Sequence, residues 1–201
     1  MSWHSVMPSH FPIHPAAWRS RATITHAQTL LGKYLVRRHG DGRVEAQIIT
    51  EVEAYDGPRD LACHASKGRT ARTEVMFAPA GVWYVYLCYG MHELLNLVTG
   101  PRDYPAAVLI RGLEKVNGPG RLTRALGITR SFNDAPVAES SGLWIEDRGL
   151  VVPRRAITAT PRIGVDSAGP PWAGKPWRFV LDAAVAGQFP GRIHQRDEVI
   201  G

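Results

Sequence analysis

Residues 43–55 read as one extended strand, and alternate residues of a strand share a face. Glu51, Glu53 and Tyr55 therefore point one way, and Thr50, Val52 and Ala54 the other. Two carboxylates side by side on one face repel each other unless one of them binds a partner or water. Either that face is solvated, or one glutamate sits in a cleft as a general base within hydrogen-bond reach of a water molecule.

The rest of the chain is punctuated for a sheet. Tyr34 to Arg38 reads as a strand, and Asp41-Gly42 as the turn into the carboxylate strand. Residues 83–87 and 106–113 are β-rich, the second nearly all apolar until Arg111, and Trp177 to Leu181 is a further short strand. Helical signals are few. Thr25-His26-Ala27-Gln28 fits a capping box followed by Leu30-Leu31 and a stop at Gly32, and Pro119 to Leu126 is bounded by Gly118 and Gly127. The expected fold is α+β, a single domain over residues 21–201 with a curved, mostly antiparallel sheet and a few surrounding helices. Residues 1–20, rich in His and Pro, read as an N-terminal arm or edge-wrapping segment.

The net charge of +6 favours an anionic partner such as nucleic acid. Residues 51–100 carry four Lys/Arg against six Asp/Glu, whereas residues 1–50 carry six against two and 151–201 seven against four. An acidic middle between basic flanks suits a reaction centre framed by a phosphate-binding rim. Arginine dominates the basic residues, and its planar fork matches phosphate. No apolar run approaches the ~20 residues that span a bilayer, and no apolar stretch of a secretory signal opens the chain, so a cytoplasmic location is expected. Cys63 and Cys88 are too few for a disulfide framework and are expected as reduced thiols.

In the strand at 83–87, Tyr84 and Tyr86 share a face, and Tyr89 follows beside Gly90. A stripe of tyrosines is most often packing. A tyrosine at a turn next to glycine is instead presented outward, where it could enter a base stack. A lone histidine such as His64 or a strand-end Asn such as Asn96 carries little meaning alone.

Taken together, Glu51-Val52-Glu53-Ala54-Tyr55, His64 nine residues later, Tyr84-Val85-Tyr86-Leu87-Cys88-Tyr89-Gly90-Met91, Asn96, the run ending in Arg111, and Gly118-Pro119-Gly120-Arg121-Leu122 resemble the alkyladenine (3-methyladenine) DNA glycosylases. The resemblance covers roughly residues 25–181. It implies a monofunctional enzyme that flips alkylated or deaminated purines, such as 3-methyladenine, 7-methylguanine, hypoxanthine and ethenoadenine, out of double-stranded DNA and hydrolyses the bond to the sugar. By that resemblance Glu53 activates the water and Arg111 helps position it, with the main chain of Ile163 nearby. Tyr55, Tyr86 and His64 would hold the flipped base, Asn96 would disfavour the 2-amino group of guanine, and Tyr89 would fill the vacated stack with Met91 beside it. Arg121, at a helix start that could receive a phosphate, is a DNA-contact candidate. Glu51 receives no role, and Tyr84 is read as structural. No cofactor or metal is implied, and a monomer is expected.

Two other classes compete. A metal-dependent nuclease or hydrolase could draw ligands from Glu51, Glu53, Asp60 and His64, although no HExxH or Cys/His zinc spacing occurs. A non-catalytic damage-binding module could share the fold. The chain also departs from the family pattern. Thr73 stands where many members carry Asn, the loop at 101–105 is longer, and Asp103 is out of register with an expected acidic residue. No lysine is implied in the site, so no Schiff base and no strand cleavage are expected. Borohydride added during turnover should therefore trap no covalent protein–DNA adduct, and an adduct would refute the hydrolytic reading.

Overall fold

The computed structural model describes residues 11–182. Ten strands form one antiparallel sheet: β1 (Phe11–Pro12), β2 (Tyr34–Arg38), β3 (Val44–Asp56), β4 (Trp83–Cys88), β5 (His92–Thr99), β6 (Ala106–Leu113), β7 (Val116–Asn117), β8 (Leu143–Asp147), β9 (Ile157–Thr160) and β10 (Arg178–Leu181). The two α-helices among the described residues are α1 (Thr23–Leu30) and α2 (Pro119–Ala125). Their bounds and those of β2, β3, β4, β6 and β10 fall within a residue or two of the expected ones, β5 was not anticipated and places Asn96 inside a strand, and the α+β class holds. Of the anticipated N-terminal arm, residues 1–10 lie outside the described residues, and so do residues 183–201 of the anticipated domain. Residues 11–20 pack on the domain: β1 pairs with β8, and Trp18 is buried in the core.

The long strand β3 organises the sheet. Its first half pairs with β2 on one side, its second half with β10 on that same side, and β6 runs along its other edge. Beyond β6 come β5 and then β4, joined as a hairpin. Strand alternation then separates two chemistries. Val52, Ala54, Val108, Ile110, Leu95, Leu97, Trp83 and Val85 join the main apolar core. Their neighbours in sequence project from the opposite face and carry the polar and aromatic groups described below.

One expectation fails at α1. The helix begins at Thr23, two residues before the anticipated capping box, and Ala22 caps it without a side-chain hydrogen bond. Thr23 is buried, and its hydroxyl donates to Asp56 Oδ1 at 2.7 Å. The helix is fixed by that tertiary bond and by Ala27, Leu30 and Leu31 in the core rather than by a local cap. The exit follows the sequence more closely. Gly32 has φ +82°, and a Cβ there would come within 2.5 Å of Val152, so both backbone and space call for glycine.

Trp83 shows how the core face is held. It is fully buried, and its indole N–H donates to Leu143 O at 2.9 Å, tying β4 to the start of β8. Replacing it with Ala removes both the packing and the bond. Trp83→Ala should lower stability by about 3–5 kcal/mol in urea unfolding, and a loss below about 1 kcal/mol would mean that the residue is not a keystone of this face.

Candidate active site

The polar face carries one row of cross-strand neighbours. Arg178 on β10 lies opposite Glu53 on β3, Glu53 opposite Leu109 on β6, Leu109 opposite Asn96 on β5, and Asn96 opposite Tyr84 on β4. Adjacent rows add Tyr55 opposite Ala107 and Tyr86 opposite Leu94. A cavity of about 630 Å³ opens over this face, lined by Tyr55, His64, Tyr86, Asn96, Arg111, Ile163 and their neighbours. Its size is that of a small-molecule site.

Arg111 reaches the row through an irregularity in the ladder. Glu51 pairs with Gly112 and Val52 with Ile110, so Arg111 is the extra residue of a β-bulge. Bulges re-aim a side chain, and they recur beside active sites. Gly112 permits the close approach, since a Cβ there would sit 3.0 Å from Glu51 Cβ.

Glu53 has no exposed surface. Its Oε1 accepts the Ile163 backbone N–H at 2.8 Å. Its Oε2 accepts the Tyr55 hydroxyl at 2.9 Å and lies 3.4 Å from Arg111 Nη1. Tyr55, Arg111 and Ile163 all line the cavity, so the carboxylate stands directly behind its wall. Burial pushes the Glu53 carboxyl above the ordinary range, against the opposing pull of Arg111, the Ile163 N–H and Tyr55. The Tyr55 phenol is raised well above its usual value, first by burial and then by Glu53, and so remains a donor.

The loop that delivers Ile163 is anchored by its neighbour Arg162. That buried guanidinium holds the buried Asp60 carboxylate through Nη1 at 2.5 Å and Nη2 at 2.9 Å, and Nη1 also donates to Ala54 O. It lies 4.8 Å over the Tyr55 ring, backing one face of that ring while Tyr55 lines the cavity.

Across the cavity His64, Tyr84 and Tyr86 form a cluster. His64 Nδ1 is 3.2 Å from the Tyr84 hydroxyl, and its ring meets Tyr86 edge-on at 4.6 Å. Although His64 keeps solvent contact, the protein around its ring, with Arg72 nearby, pulls its pKa down to about 4. Arg72 lies 4.9 Å over the Tyr86 ring. Asn96 is buried and spends its amide N–H groups on Tyr84 O and Leu94 O, which leaves its oxygen as the atom free to face a ligand.

The β4–β5 hairpin ends in Tyr89-Gly90-Met91. Tyr89 adopts φ +50° beside Gly90 at φ +70° and is 86% exposed, with Met91 70% exposed. A left-handed tyrosine is an uncommon conformation with a strain cost. Here it projects an apolar ring into solvent at the mouth of the cavity, which both Tyr89 and Arg121 line. Arg121 is exposed on α2, a helix of only seven residues, so any phosphate contact there rests on the side chain more than on the helix terminus.

The sequence pattern of the methylpurine-DNA glycosylase family matches residues 17–184. The chain belongs to the methylpurine-DNA glycosylase family. It is 47% identical over 204 aligned positions to a protein of Methanocella arvoryzae, covering 90% of this chain and 100% of the relative. It is 46% identical to a protein of Myxococcus xanthus, covering 89% and 96%, and 46% identical to one of Anaeromyxobacter dehalogenans, covering 83% and 82%. All three are provisionally named 3-methyladenine DNA glycosylases. Of the residues named from the sequence, Tyr55, His64, Tyr86, Tyr89, Asn96, Arg111, Arg121 and Ile163 line the cavity, Glu53 stands behind it and Met91 is not among its lining, and four contributors were missed. These are Arg162 behind Tyr55, Arg72 over Tyr86, Arg178 beside Glu51, and the bond from Tyr84 to His64.

The groups named for a metal do not converge. Glu51 is engaged by Arg111 and Arg178, Asp60 by Arg162, and no three His, Cys, Asp or Glu among the described residues could hold an ion together. No helix among the described residues is long and apolar enough to cross a membrane. The departures from the family pattern are structural. Thr73 is buried and knits its turn to Gly68 O and Thr70 N, and Asp103 pairs with Arg69.

The lowered pKa of His64 makes it a neutral group at physiological pH. A ring titration by NMR should show little protonation between pH 8 and 5, with the midpoint near pH 4; a midpoint near the ordinary histidine value would contradict the packing described.

Proposed function

We propose that this protein is a monofunctional glycosylase that extrudes alkylated or deaminated purines from double-stranded DNA and hydrolyses the N-glycosidic bond with water activated by Glu53. The observation that carries this reading is a buried carboxylate of raised pKa placed one side chain behind an aromatic cavity. A base works best when its pKa is brought toward the working pH.

The chemistry follows from the contacts. A carboxylate offers about four lone-pair sites. The Ile163 N–H, the Tyr55 hydroxyl and Arg111 address three of them, leaving one for the proton of a water that reaches Glu53 from the cavity those three residues line. The water oxygen bonds to C1′ of the sugar, the bond from C1′ to the purine nitrogen breaks, and its electron pair leaves with the base. The water's proton passes to Glu53, and an abasic site remains. Arg111 steadies the carboxylate and the oxygens gathered around C1′. A purine already carrying a methyl group and a positive charge departs readily, so much of the driving force lies in the substrate.

Binding uses the aromatic walls. Tyr55, backed by Arg162, offers one face, with Tyr86 and the edge of His64 opposite. Extrusion costs a few kcal/mol, least for a damaged base, and stacking returns ~1–3 kcal/mol per base. The two are close enough for damage to tip the balance. Alkylated cations gain further from aromatic faces. A neutral His64 that accepts the Tyr84 hydroxyl at Nδ1 presents Nε2–H to the purine edge, which also suits hypoxanthine. Asn96 crowds the position of a guanine 2-amino group. Tyr89 occupies the gap left in the duplex, Met91 flanks it, and Arg121 meets the backbone.

Duplex containing a single hypoxanthine, in EDTA, tests the reading. Wild type should release the base, and Glu53→Gln should lose roughly 10²–10⁴-fold in single-turnover rate while binding the lesion as well as before. Release that survives the substitution would remove Glu53 from the mechanism. Tight binding without release by either protein would favour a damage sensor.

A further inference from the structure

Glu51 is buried on the same strand face as Glu53 and has no part in the chemistry so far described. Its Oε1 accepts Arg111 Nε at 2.8 Å and Arg178 Nε at 2.6 Å. Arg178 is held in turn by Thr160 Oγ1 at 3.1 Å. Two carboxylates and two guanidiniums thus balance in charge, but the contacts are unequal. Arg111 gives its short hydrogen bond to Glu51, and only a longer 3.4 Å ion-pair contact reaches Glu53.

That inequality bears on Glu53 as a base. An arginine free to approach a carboxylate settles into a two-pronged pairing that occupies both oxygens and stabilises the ionised form. Closed onto Glu53 in that way, Arg111 would take the one acceptor site left for water. The bulge that carries Arg111 aims its guanidinium between Glu51 and Glu53, and the close approach at Gly112 keeps Glu51 within reach.

We propose that Glu51 is a positioning residue that holds Arg111 back from Glu53, so that the catalytic carboxylate keeps an open acceptor site for the attacking water. This rests on the reading of Glu53 as the base. The charged and titratable groups facing Glu53 are Glu51 and Tyr55 from β3, Tyr86 from β4, Arg111 from β6, Arg178 from β10, and Arg162 beside Tyr55. Among them Glu51 alone adds negative charge, and it acts to raise the Glu53 pKa. Loss of that charge lets Arg111 and Arg178 act on Glu53 together. Loss of Arg178 has the opposite sign: it removes a cation placed across the ladder from Glu53 and leaves Arg111 to Glu51.

The experiment uses the full chain with glutamate side chains carrying ¹³C at the carboxyl. The Glu53 titration is followed in wild type, Glu51→Gln, Glu51→Asp and Arg178→Gln, beside single-turnover release of hypoxanthine across pH. Glu51→Gln should move both the Glu53 midpoint and the acid limb of the rate profile down by about one pH unit, with a lower plateau rate. Glu51→Asp, which keeps the charge, should restore most of that shift, and Arg178→Gln should move the midpoint upward. If Glu51→Gln does not fold, the other two variants decide. Slower variants with an unmoved Glu53 titration would reduce Glu51 to a structural counter-ion and overturn the proposal. Retained release by Glu53→Gln would instead overturn the general-base reading, a separate outcome.

Discussion

A carboxylate taken wholly out of water must regain from the protein what the solvent supplied, and Glu53 is such a group. Each of its three partners depends on a different part of the fold. The Tyr55 hydroxyl comes from the same face of the same strand. Arg111 comes from a bulge in the neighbouring strand, which exists because β3 and β6 slip register around Glu51. The Ile163 N–H comes from a loop pinned by the buried Arg162–Asp60 pair. Breaking that buried pair on one side would leave an uncompensated charge, and the disturbance would pass through Ile163 to Glu53. Tyr55, Arg111 and Ile163, the three groups that this carboxylate ties together, all line the cavity.

The arrangement strikes a balance of charges rather than a maximum of pairing. If every arginine near Glu53 closed upon it, the group would be a stable anion and a poor base. Burial works the other way and lifts its pKa. In the proposed mechanism, sharing Arg111 with Glu51 keeps Glu53 paired enough to be folded and loose enough to accept a proton. The side on which a base is proposed to bind shows a similar compromise. Arg72 covers the Tyr86 ring and must yield some of that surface to a stacked purine, while Tyr89 holds a strained backbone so that its ring can project.

The sequence made the face of β3 legible, because a period of two is a local rule. It put Glu51, Glu53 and Tyr55 on one face and separated Tyr84 and Tyr86 from Trp83 and Val85, while the choice of Glu53 came from the resemblance. The resemblance to a family supplied His64, Asn96, Arg111 and Ile163 as candidates, and the fold brings all four to one cavity. Contacts between residues far apart in the chain were out of reach. Arg178 meets Glu51 across 127 positions and Arg162 meets Asp60 across 102. No periodicity encodes such pairings. The helix start at Thr23 was missed for a related reason, since its hydroxyl is drawn to Asp56 rather than to a local cap.

A crystal structure of Glu53→Gln bound to a duplex with a single hypoxanthine tests most directly where a damaged base and its sugar lie. The purine should stand between Tyr55 and the Tyr86–His64 wall, with Tyr89 in the vacated stack. C1′ should face the substituted side chain across one water within hydrogen-bond reach of it, roughly 2.6–3.2 Å. A purine still stacked in the duplex, or a flipped one whose C1′ faces away from position 53, would contradict the account.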